Sequence, residues 1–340
     1  MRIFVCEYIT GGGMSGSPLP PSLAHEGDLM LGALLRDLSD LNTPEEGLQV
    51  IISRDERLAV PSGKFCDMRI PEKGADIWAF WERVMEDCDA LFAIAPESDE
   101  ALERLSLMAR EKNCLLLGST PETVALAANK FHTARWLTAQ GIETPPTYRF
   151  SNSLPDSPTG YIAKPHDGAG ATETRFFQER EALDAWMNPQ RRESHIIQPF
   201  IPGLPASLTG LFKNGQACLL SCNRQDIVFE DDMPHYRGFD VGALEEARPL
   251  LAPLADNIAA VFPGLWGIAG IDLILSDDGP VVLEINPRLT TPYAALRDAL
   301  SCNPAGLVLD LLKNESLPPA PQVPPARQSR LEVDAAMSTP

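Results

Sequence analysis

The residues best suited to chemistry lie in Val281–Arg288. Side chains alternate between the two faces of an extended chain, so Glu284 and Asn286 share one face. Asp272, twelve positions before Glu284, ends a second apolar-rich run, and the tract Ser276–Pro280 between the runs is typical of a hairpin turn. Pairing of the two strands would bring these three side chains together. Such oxygen ligands, with positions left open for phosphate oxygens, suit Mg²⁺.

The composition is that of an acidic globular protein. Its 340 residues are enough for two or three domains, and 28 Lys plus Arg against 47 Asp plus Glu give a formal charge of −19. An acidic surface argues against nucleic acid or an anionic membrane as a partner. The seven cysteines lack the spacing of a disulfide framework or a zinc site, which favours reduced thiols and a cytoplasmic protein. We expect neither a secretion signal nor a membrane span.

Apolar strands and amphipathic helices alternate through residues 1–118, which predicts a small parallel sheet with helices on its faces. The first strand runs into Glu7–Gly13, which ends in three consecutive glycines. Glycines in this place allow a sharp turn or a close approach to a ligand. A mobile loop is the alternative. A later strand ends at Pro96–Ser98, a position where open α/β sheets place ligands.

A second glycine-rich segment follows a short strand that ends at Lys164. Gly168, Ala169 and Gly170 form a loop whose N–H groups can turn toward phosphate oxygens. A lysine at the mouth of such a loop supplies a point charge for phosphate. An ordinary glycine-rich hairpin loop beside a surface lysine is the alternative.

Two stretches lack a clear helical or strand pattern. Residues 223–242 form a long polar segment that contains Arg224 and Arg237, and we interpret it as a loop that is either functional or disordered. From Leu317 onward, five prolines fall within eight positions. We therefore expect residues 316–340 to be an extended or disordered tail whose removal leaves activity unchanged.

Four motifs occur in one order along the chain: Asn129–Lys130, Lys164–Pro165 with Gly168 and Gly170, Gln198–Ile201, and Asp272 with Glu284–Arg288. This series resembles the ATP-grasp superfamily of carboxylate–amine ligases over roughly residues 1–312. The resemblance implies a mixed α/β and α+β fold. Its parts would be an N-terminal parallel-sheet (pre-ATP-grasp) domain at 1–118, two α+β subdomains at 119–200 and 201–315 around an ATP cleft, and the tail.

The resemblance also implies a role for each motif residue. Two lysines and the glycine-rich loop would contact the nucleotide phosphates: Lys130, Lys164, Gly168, Ala169 and Gly170. Backbone groups of a hinge would contact the adenine edge, and its residues are Gln198, Phe200 and Ile201. Mg²⁺, with Mn²⁺ as an alternative, would bind Asp272, Glu284 and Asn286. Arg288 would act catalytically by neutralising the transferring phosphoryl group and the acyl phosphate. Lys164, over the adenine and phosphates, would be the second catalytic residue. Pro199 departs from the family, which more often has an acid before the aromatic residue.

Three shorter segments resemble a narrower group, the tyramine–glutamate ligases of methanofuran biosynthesis: Glu7–Gly13, Asn223–Gln225 and Asn286–Tyr293. This resemblance implies that glutamate is activated and that an aromatic amine attacks it. The residues that would contact the acid and the amine are Gly11, Gly12, Gly13, Arg224, Arg237, Thr290 and Tyr293. The alternatives are a ligase for another acid and amine, and a nucleotide-binding protein without catalysis. A homodimer is left open.

Overall fold

The computed structural model describes residues 1–42, 47–151, 154–168, 173–314, 316–319 and 328–333. The strands in these ranges form three sheets of five, six and four strands. The first part of the chain runs, in order, through β1 (Arg2–Glu7), α1 (Pro21–Leu41), β2 (Gln49–Ser53), β3 (Asp67–Arg69), α2 (Ile77–Glu86), β4 (Ala90–Ile94), α3 (Ala101–Glu111) and β5 (Leu115–Leu116).

The five-stranded sheet is parallel, with the order β3-β2-β1-β4-β5. Its two central strands are almost fully apolar and buried, as expected for a parallel sheet that is covered on both faces. β1 pairs with β2 on one side and β4 on the other, so the strand order reverses between β1 and β4. A sheet of this kind binds ligands in the crevice at the carboxyl ends of those two strands.

The middle of the chain runs through α4 (Pro121–Ala128), α5 (Lys130–Ala139), β6 (Tyr148–Arg149), β7 (Tyr161–Pro165), β8 (Arg175–Phe177), α6 (Arg180–Trp186), α7 (Pro189–Ser194) and β9 (His195–Pro199). Its four strands form an antiparallel sheet in the order β6-β9-β7-β8. α4 begins after Thr120, whose Oγ1 accepts a hydrogen bond from the backbone N–H of Thr123. Asn129 caps α5 in the same way and so fixes the position of Lys130.

The last part of the chain runs through β10 (Leu204–Lys213), β11 (Gln216–Glu230), β12 (Met233–Val241), α8 (Arg248–Val261), β13 (Gly267–Ser276), β14 (Gly279–Asn286), α9 (Tyr293–Leu300), α10 (Pro304–Lys313) and β15 (Ser329–Glu332). Its strands form an antiparallel sheet in the order β14-β13-β10-β11-β12-β15. A tight turn at Asn214–Gly215 joins β10 to β11, and both residues have the positive φ that such a turn requires.

The prediction of a long loop at residues 223–242 was wrong. β11 and β12 form one antiparallel hairpin there, with its turn at Asp231 and Asp232, both at positive φ. Many side chains near the end of the hairpin are exposed and polar, so the apolar alternation that marks a buried strand is weak. Ion pairs between the two strands, such as that of Arg224 with Asp240, accompany the pairing of the hairpin instead.

The prediction of an unstructured tail was wrong for four residues. β15 adds to the edge of the six-stranded sheet by pairing with β12. Arg330 forms ion pairs with Asp226 at 2.6 Å and with Asp240 at 3.3 Å. A strand edge that would otherwise present unpaired backbone groups is thereby covered. Among the helices that the structure describes, none combines the length and the apolar character needed to cross a bilayer.

Candidate functional site

The β13–β14 hairpin brings the predicted metal ligands together. Asp272 lies directly opposite Glu284, and Gly270 lies opposite Asn286, as the strand alternation predicted. Asn286 Nδ2 donates to Asp272 Oδ2 at 3.0 Å. Gln225 Nε2 on β11 donates to the other oxygen, Asp272 Oδ1, at 2.7 Å. Both oxygens of this carboxylate are therefore held in place by amide donors.

The electrostatics of this hairpin favour a bound cation. Burial raises the pKa of Asp272 to about 6, and the charge of Glu284 adds to the shift. The described residues contain no group of three or more His, Cys, Asp or Glu placed for a metal. The candidate ligands on the hairpin are instead two carboxylates and the amide of Asn286. Hard oxygen donors in this number fit Mg²⁺, which usually keeps several positions for water or phosphate oxygens.

Two lysines lie beside the carboxylates. Lys130, the first residue of α5, places its ammonium 2.9 Å from Glu284 Oε1 and also donates to the backbone oxygen of Gly168. Burial lowers the pKa of Lys164 on β7 to about 8; the charge of Glu284 opposes this shift and the charge of Lys130 adds to it. Helix α5 and the four-stranded sheet thus contribute positive charges to a cleft in which the six-stranded sheet contributes the carboxylates.

Arg288, two residues beyond Asn286, reaches back to the N-terminal domain. Its Nε donates to Glu97 Oε1 at 2.9 Å and its Nη2 donates to Glu97 Oε2 at 3.0 Å. Such paired hydrogen bonds between a guanidinium and a carboxylate fix the orientation of both planes. Glu97 is buried and follows β4, so the crevice at the carboxyl ends of β1 and β4 opens beside the β13–β14 hairpin.

The hinge residues lie where the four-stranded and six-stranded sheets meet. Gln198 is buried, and its Nε2 donates to Thr147 Oγ1 at 2.8 Å. Phe200 donates its N–H to the backbone oxygen of Gly160, and its own carbonyl accepts from Thr159. Both backbone groups of Phe200 are thus bonded within the protein, and the contact of the hinge with adenine stays a prediction. Ile201 follows directly and begins the connection to β10.

The ring of Phe200 belongs to an aromatic cluster that joins three segments. It lies 5.2 Å from the ring of Phe176 on β8 and 6.1 Å from the ring of Phe229 on β11, and the latter two rings are also 6.1 Å apart. The backbone N–H of Phe176 donates to the carbonyl of Asp232 at the tip of the β11–β12 hairpin. The hairpin therefore contacts the four-stranded sheet at the hinge.

The glycine-rich turn after β1 is a short π-helical turn, Ile9–Gly13. A side chain at Gly11 would approach Ser53 Oγ to 2.5 Å, and Gly12 has a φ of 108°. Packing and backbone conformation therefore account for these two glycines. Gly13 lies against Tyr8 in the same turn. In the other glycine loop, Gly168 is within the described residues, whereas Ala169 and Gly170 lie outside them.

The structure does not bring three of the residues expected to contact substrate toward the metal ligands. Arg224 and Arg237 are exposed and pair with Asp240 and Glu230 on their own hairpin. The Tyr293 hydroxyl is buried and donates to Asp37 on α1 at 2.9 Å, so this tyrosine stabilises helix packing. Thr290, in contrast, lies against Gly270 on β13, beside the hairpin of the metal ligands.

Sequence reasoning missed several residues near the site. Glu97 had only a positional signal, its place after a parallel strand. Gln225 lies in a segment that we interpreted as a loop, so its contact with Asp272 was hidden. Glu26 on α1 accepts a hydrogen bond from Thr291 Oγ1, and nothing in its helical pattern indicates this contact.

Two family models match the chain. Residues 48–124 match the pre-ATP-grasp 3 domain, and residues 127–292 match the ATP-grasp domain. Together with the three-sheet architecture and the clustered motif residues, these matches show that the chain belongs to the ATP-grasp superfamily. The fold class predicted from the sequence is confirmed.

One similar protein bears on the resemblance to the narrower group of tyramine–glutamate ligases. Over 232 residues the chain is 27% identical to tyramine–L-glutamate ligase of Methanocaldococcus jannaschii. The matched region covers 68% of this chain and 65% of that protein. The chain thus spans slightly less than two thirds of this relative's length.

Solved structures share the fold. An ATP-grasp superfamily protein described from Archaeoglobus fulgidus is 25% identical, with a TM-score of 0.68 over 91% of this chain and 88% of that chain. The biotin carboxylase domain of Hydrogenobacter thermophilus 2-oxoglutarate carboxylase, in complex with MgADP, ADP and bicarbonate, is 14% identical. Its TM-score is 0.69 over 94% of this chain and 71% of that chain, and this likeness concerns the fold alone.

Proposed function

We propose that the protein is an ATP-dependent carboxylate–amine ligase that forms a C–N bond and releases ADP and phosphate. The observation that carries this proposal is the meeting of Asp272, Glu284 and Asn286 with Lys130 and Arg288 in one cleft. Phosphoryl transfer depends on positioning and on charge neutralisation rather than on a covalent partner in the protein. The cleft supplies both requirements.

Each group has a defined task in this proposal. Asp272, Glu284 and Asn286 would hold Mg²⁺, which when bound supplies positive charge to the phosphate oxygens. Lys130 and Lys164 would bind the phosphates from the opposite side of the cleft. The hinge and the aromatic cluster would bind the adenine base of ATP.

The reaction needs no nucleophilic side chain. The carboxylate of the acid attacks the γ-phosphorus of ATP, the bond to the β-phosphate oxygen breaks, and ADP leaves with that electron pair. The resulting acyl phosphate then reacts with the amine, and phosphate is released. Arg288 would stabilise the negative charge on the phosphoryl group in both steps, because Glu97 holds its guanidinium in a fixed orientation.

For the substrates we propose glutamate as the acid and tyramine as the amine, which would place the protein in methanofuran biosynthesis. Two points support this choice: the identity to tyramine–L-glutamate ligase, and the segment Asn286–Tyr293, which resembles that group of ligases. A ligase for a different acid and amine is the second candidate. Arg224 and Arg237 favour it, because their pairing with carboxylates of their own hairpin leaves them poorly placed to select glutamate.

The test is a screen for ADP release by the purified protein. Glutamate and other amino or dicarboxylic acids are crossed with tyramine and other amines, with ATP and Mg²⁺ present. ADP release that requires both an acid and an amine, with the amide confirmed by mass spectrometry, supports the ligase. Tight binding of ATP without ADP release for any pair would instead indicate a nucleotide-binding protein without catalysis.

A further inference from the structure

Four acidic side chains lie on β1, in the first eight residues of α1 and directly after β4, and three of them are fully engaged. Glu97 is bound through both oxygens by Arg288, and Asp28 through both oxygens by Arg54. The carboxylate of Glu7 accepts hydrogen bonds from the backbone N–H groups of Ile9 and Thr10 and from the hydroxyl of Thr10.

The fourth acid, Glu26, is different. It lies in the second turn of α1, is half-buried, and accepts a hydrogen bond from Thr291 Oγ1 through one carboxylate oxygen. In the part of the chain that the structure describes, no ion pair joins it to a lysine or an arginine. A half-buried carboxylate that no cation contacts directly favours a cationic ligand.

Glu26 lies close to the phosphoryl-transfer residues. Thr291, which binds it, is three positions after Arg288. Burial lowers the pKa of Arg288. The negative charge of Glu97, and after it that of Glu26, outweighs this effect, so the pKa lies above its usual value. Burial raises the pKa of the half-buried Tyr236 phenol on β12, and the charges of Asp272, Glu284 and Glu26 add to the shift, so Tyr236 stays a neutral hydroxyl.

We propose that Glu26 binds the ammonium group of the amine substrate, beside Thr291 and close to Arg288. This inference rests on the proposed ligase function and specifies its second substrate as a cationic amine. The amine reaches the acyl phosphate from the side of the N-terminal domain, at the crevice beyond β1 and β4. Glu97 does not serve this purpose, because Arg288 already neutralises it.

The same carboxylate accounts for the proton balance of the second step. The ammonium ion gives one proton to Glu26 and becomes a neutral amine, whose lone pair forms the C–N bond with the acyl carbon. The C–O bond to the phosphate breaks, and phosphate leaves with that electron pair. The second proton leaves the nitrogen with the departing phosphate. No oxidant or further reactant is required.

The test separates the two half-reactions. Hydroxylamine is largely uncharged near neutral pH and intercepts acyl phosphates, so ADP release with ATP, glutamate and hydroxylamine reports activation without a cationic acceptor. Tyramine in place of hydroxylamine reports the complete reaction. We expect Glu26→Gln to lower the tyramine-dependent kcat/KM at least about tenfold, the effect of about 1.4 kcal/mol. The hydroxylamine-dependent rate should stay within about twofold, and Glu26→Asp should restore part of the tyramine reaction.

Glu103→Gln is the matched control, since Glu103 is another half-buried helical glutamate of the same domain and lies outside the site. It should leave both rates unchanged. Equal loss of both rates in Glu26→Gln, or unchanged tyramine kinetics, would overturn the assignment. If the unaltered protein releases no ADP with hydroxylamine and any acid tested, the proposed ligase function itself is wrong, and the assignment of Glu26 fails with it.

Discussion

Arg288 and Glu97 are 191 positions apart in the chain and form two parallel hydrogen bonds across a domain boundary. Their side chains are 14% and 4% exposed, so solvent screens the pair only weakly. The strand that carries the metal ligands is thereby connected to the crevice of the parallel sheet. The orientation of a proposed catalytic guanidinium depends on a residue of another domain.

We therefore expect Glu97→Gln to impair activity without any direct role of Glu97 in the reaction. Removing one partner of a buried pair costs about 3 kcal/mol or more, and a displaced catalytic group can lower turnover about 100-fold. ADP release and thermal unfolding measure the two effects. Glu122→Gln, which removes the exposed pair with Arg110, is the control and should change both by little. Unchanged turnover in Glu97→Gln would show that Arg288 is positioned by other contacts.

The metal assignment is tested by Glu284→Gln. We expect turnover to fall by at least about 100-fold, because changes to groups that merely orient a ligand already cost 10- to 100-fold.

Gln225→Ala removes such an orienting group from Asp272 and should raise the Mg²⁺ concentration needed for half-maximal activity about tenfold. Circular dichroism checks that both variants fold. Normal Mg²⁺ dependence in Glu284→Gln would refute the assignment.

The buried Glu7 predicts a dependence of stability on pH. Burial raises its pKa from 4.5 to about 7, so between these values the folded protein binds a proton that the unfolded chain does not. Its contribution to stability is complete below pH 4.5 and is lost as the pH rises to about 7. Across this window, the free energy of unfolding of the wild type relative to Glu7→Gln should fall by on the order of 3 kcal/mol. Urea unfolding at several pH values measures it, and parallel curves would contradict the shifted pKa.

The strand β15 reverses our expectation that the tail is dispensable. A chain that ends at Asn314 loses the partner of β12 and the ion pairs of Arg330 with Asp226 and Asp240. We expect faster proteolysis of the β11–β12 hairpin and a severalfold lower activity, since β12 carries Tyr236. A chain that ends at Val333 keeps β15 and is the control. Equal activity of the two truncated chains would show that β15 does not support the site.

Phe229 provides a test of the nucleotide end of the cleft. Its ring contacts Phe200 and Phe176, although it is 47% exposed. Each aromatic contact is worth about 1 kcal/mol, so Phe229→Ala should raise the KM for ATP about tenfold with little change in kcat. Phe229→Leu keeps the apolar bulk and should have a smaller effect. A higher KM for the amine with an unchanged KM for ATP would place the hairpin at the other end of the cleft.

The local parts of the site could be predicted from the sequence. The meeting of Asp272 and Glu284 needs only strand alternation and a hairpin turn, and the start of α4 needs only its cap. These features depend on neighbours within about fifteen positions, where periodicity and turn chemistry act. The parallel sheet followed from the alternation of strands and helices.

The remaining features depend on long-range or solvent-facing contacts. Arg288 and Glu97 meet only when two domains pack, and no periodicity in either segment reveals their pairing. The β11–β12 hairpin was missed because cross-strand ion pairs such as Arg224 with Asp240, rather than burial, accompany its pairing. Tyr293 lies in a segment that resembles the ligase group, yet the packing of α9 against α1 directs its hydroxyl to Asp37.

The ion pair between Lys130 and Glu284 has a thermodynamic consequence. In the proposed reaction, a metal ion at Glu284 and a phosphate at Lys130 each replace the other member of this pair. Either ligand alone must disrupt the pair and leave one charge without its partner, whereas the two together exchange one set of ion pairs for another. Metal and nucleotide should therefore bind with positive coupling, and by linkage each should raise the affinity of the other by the same factor.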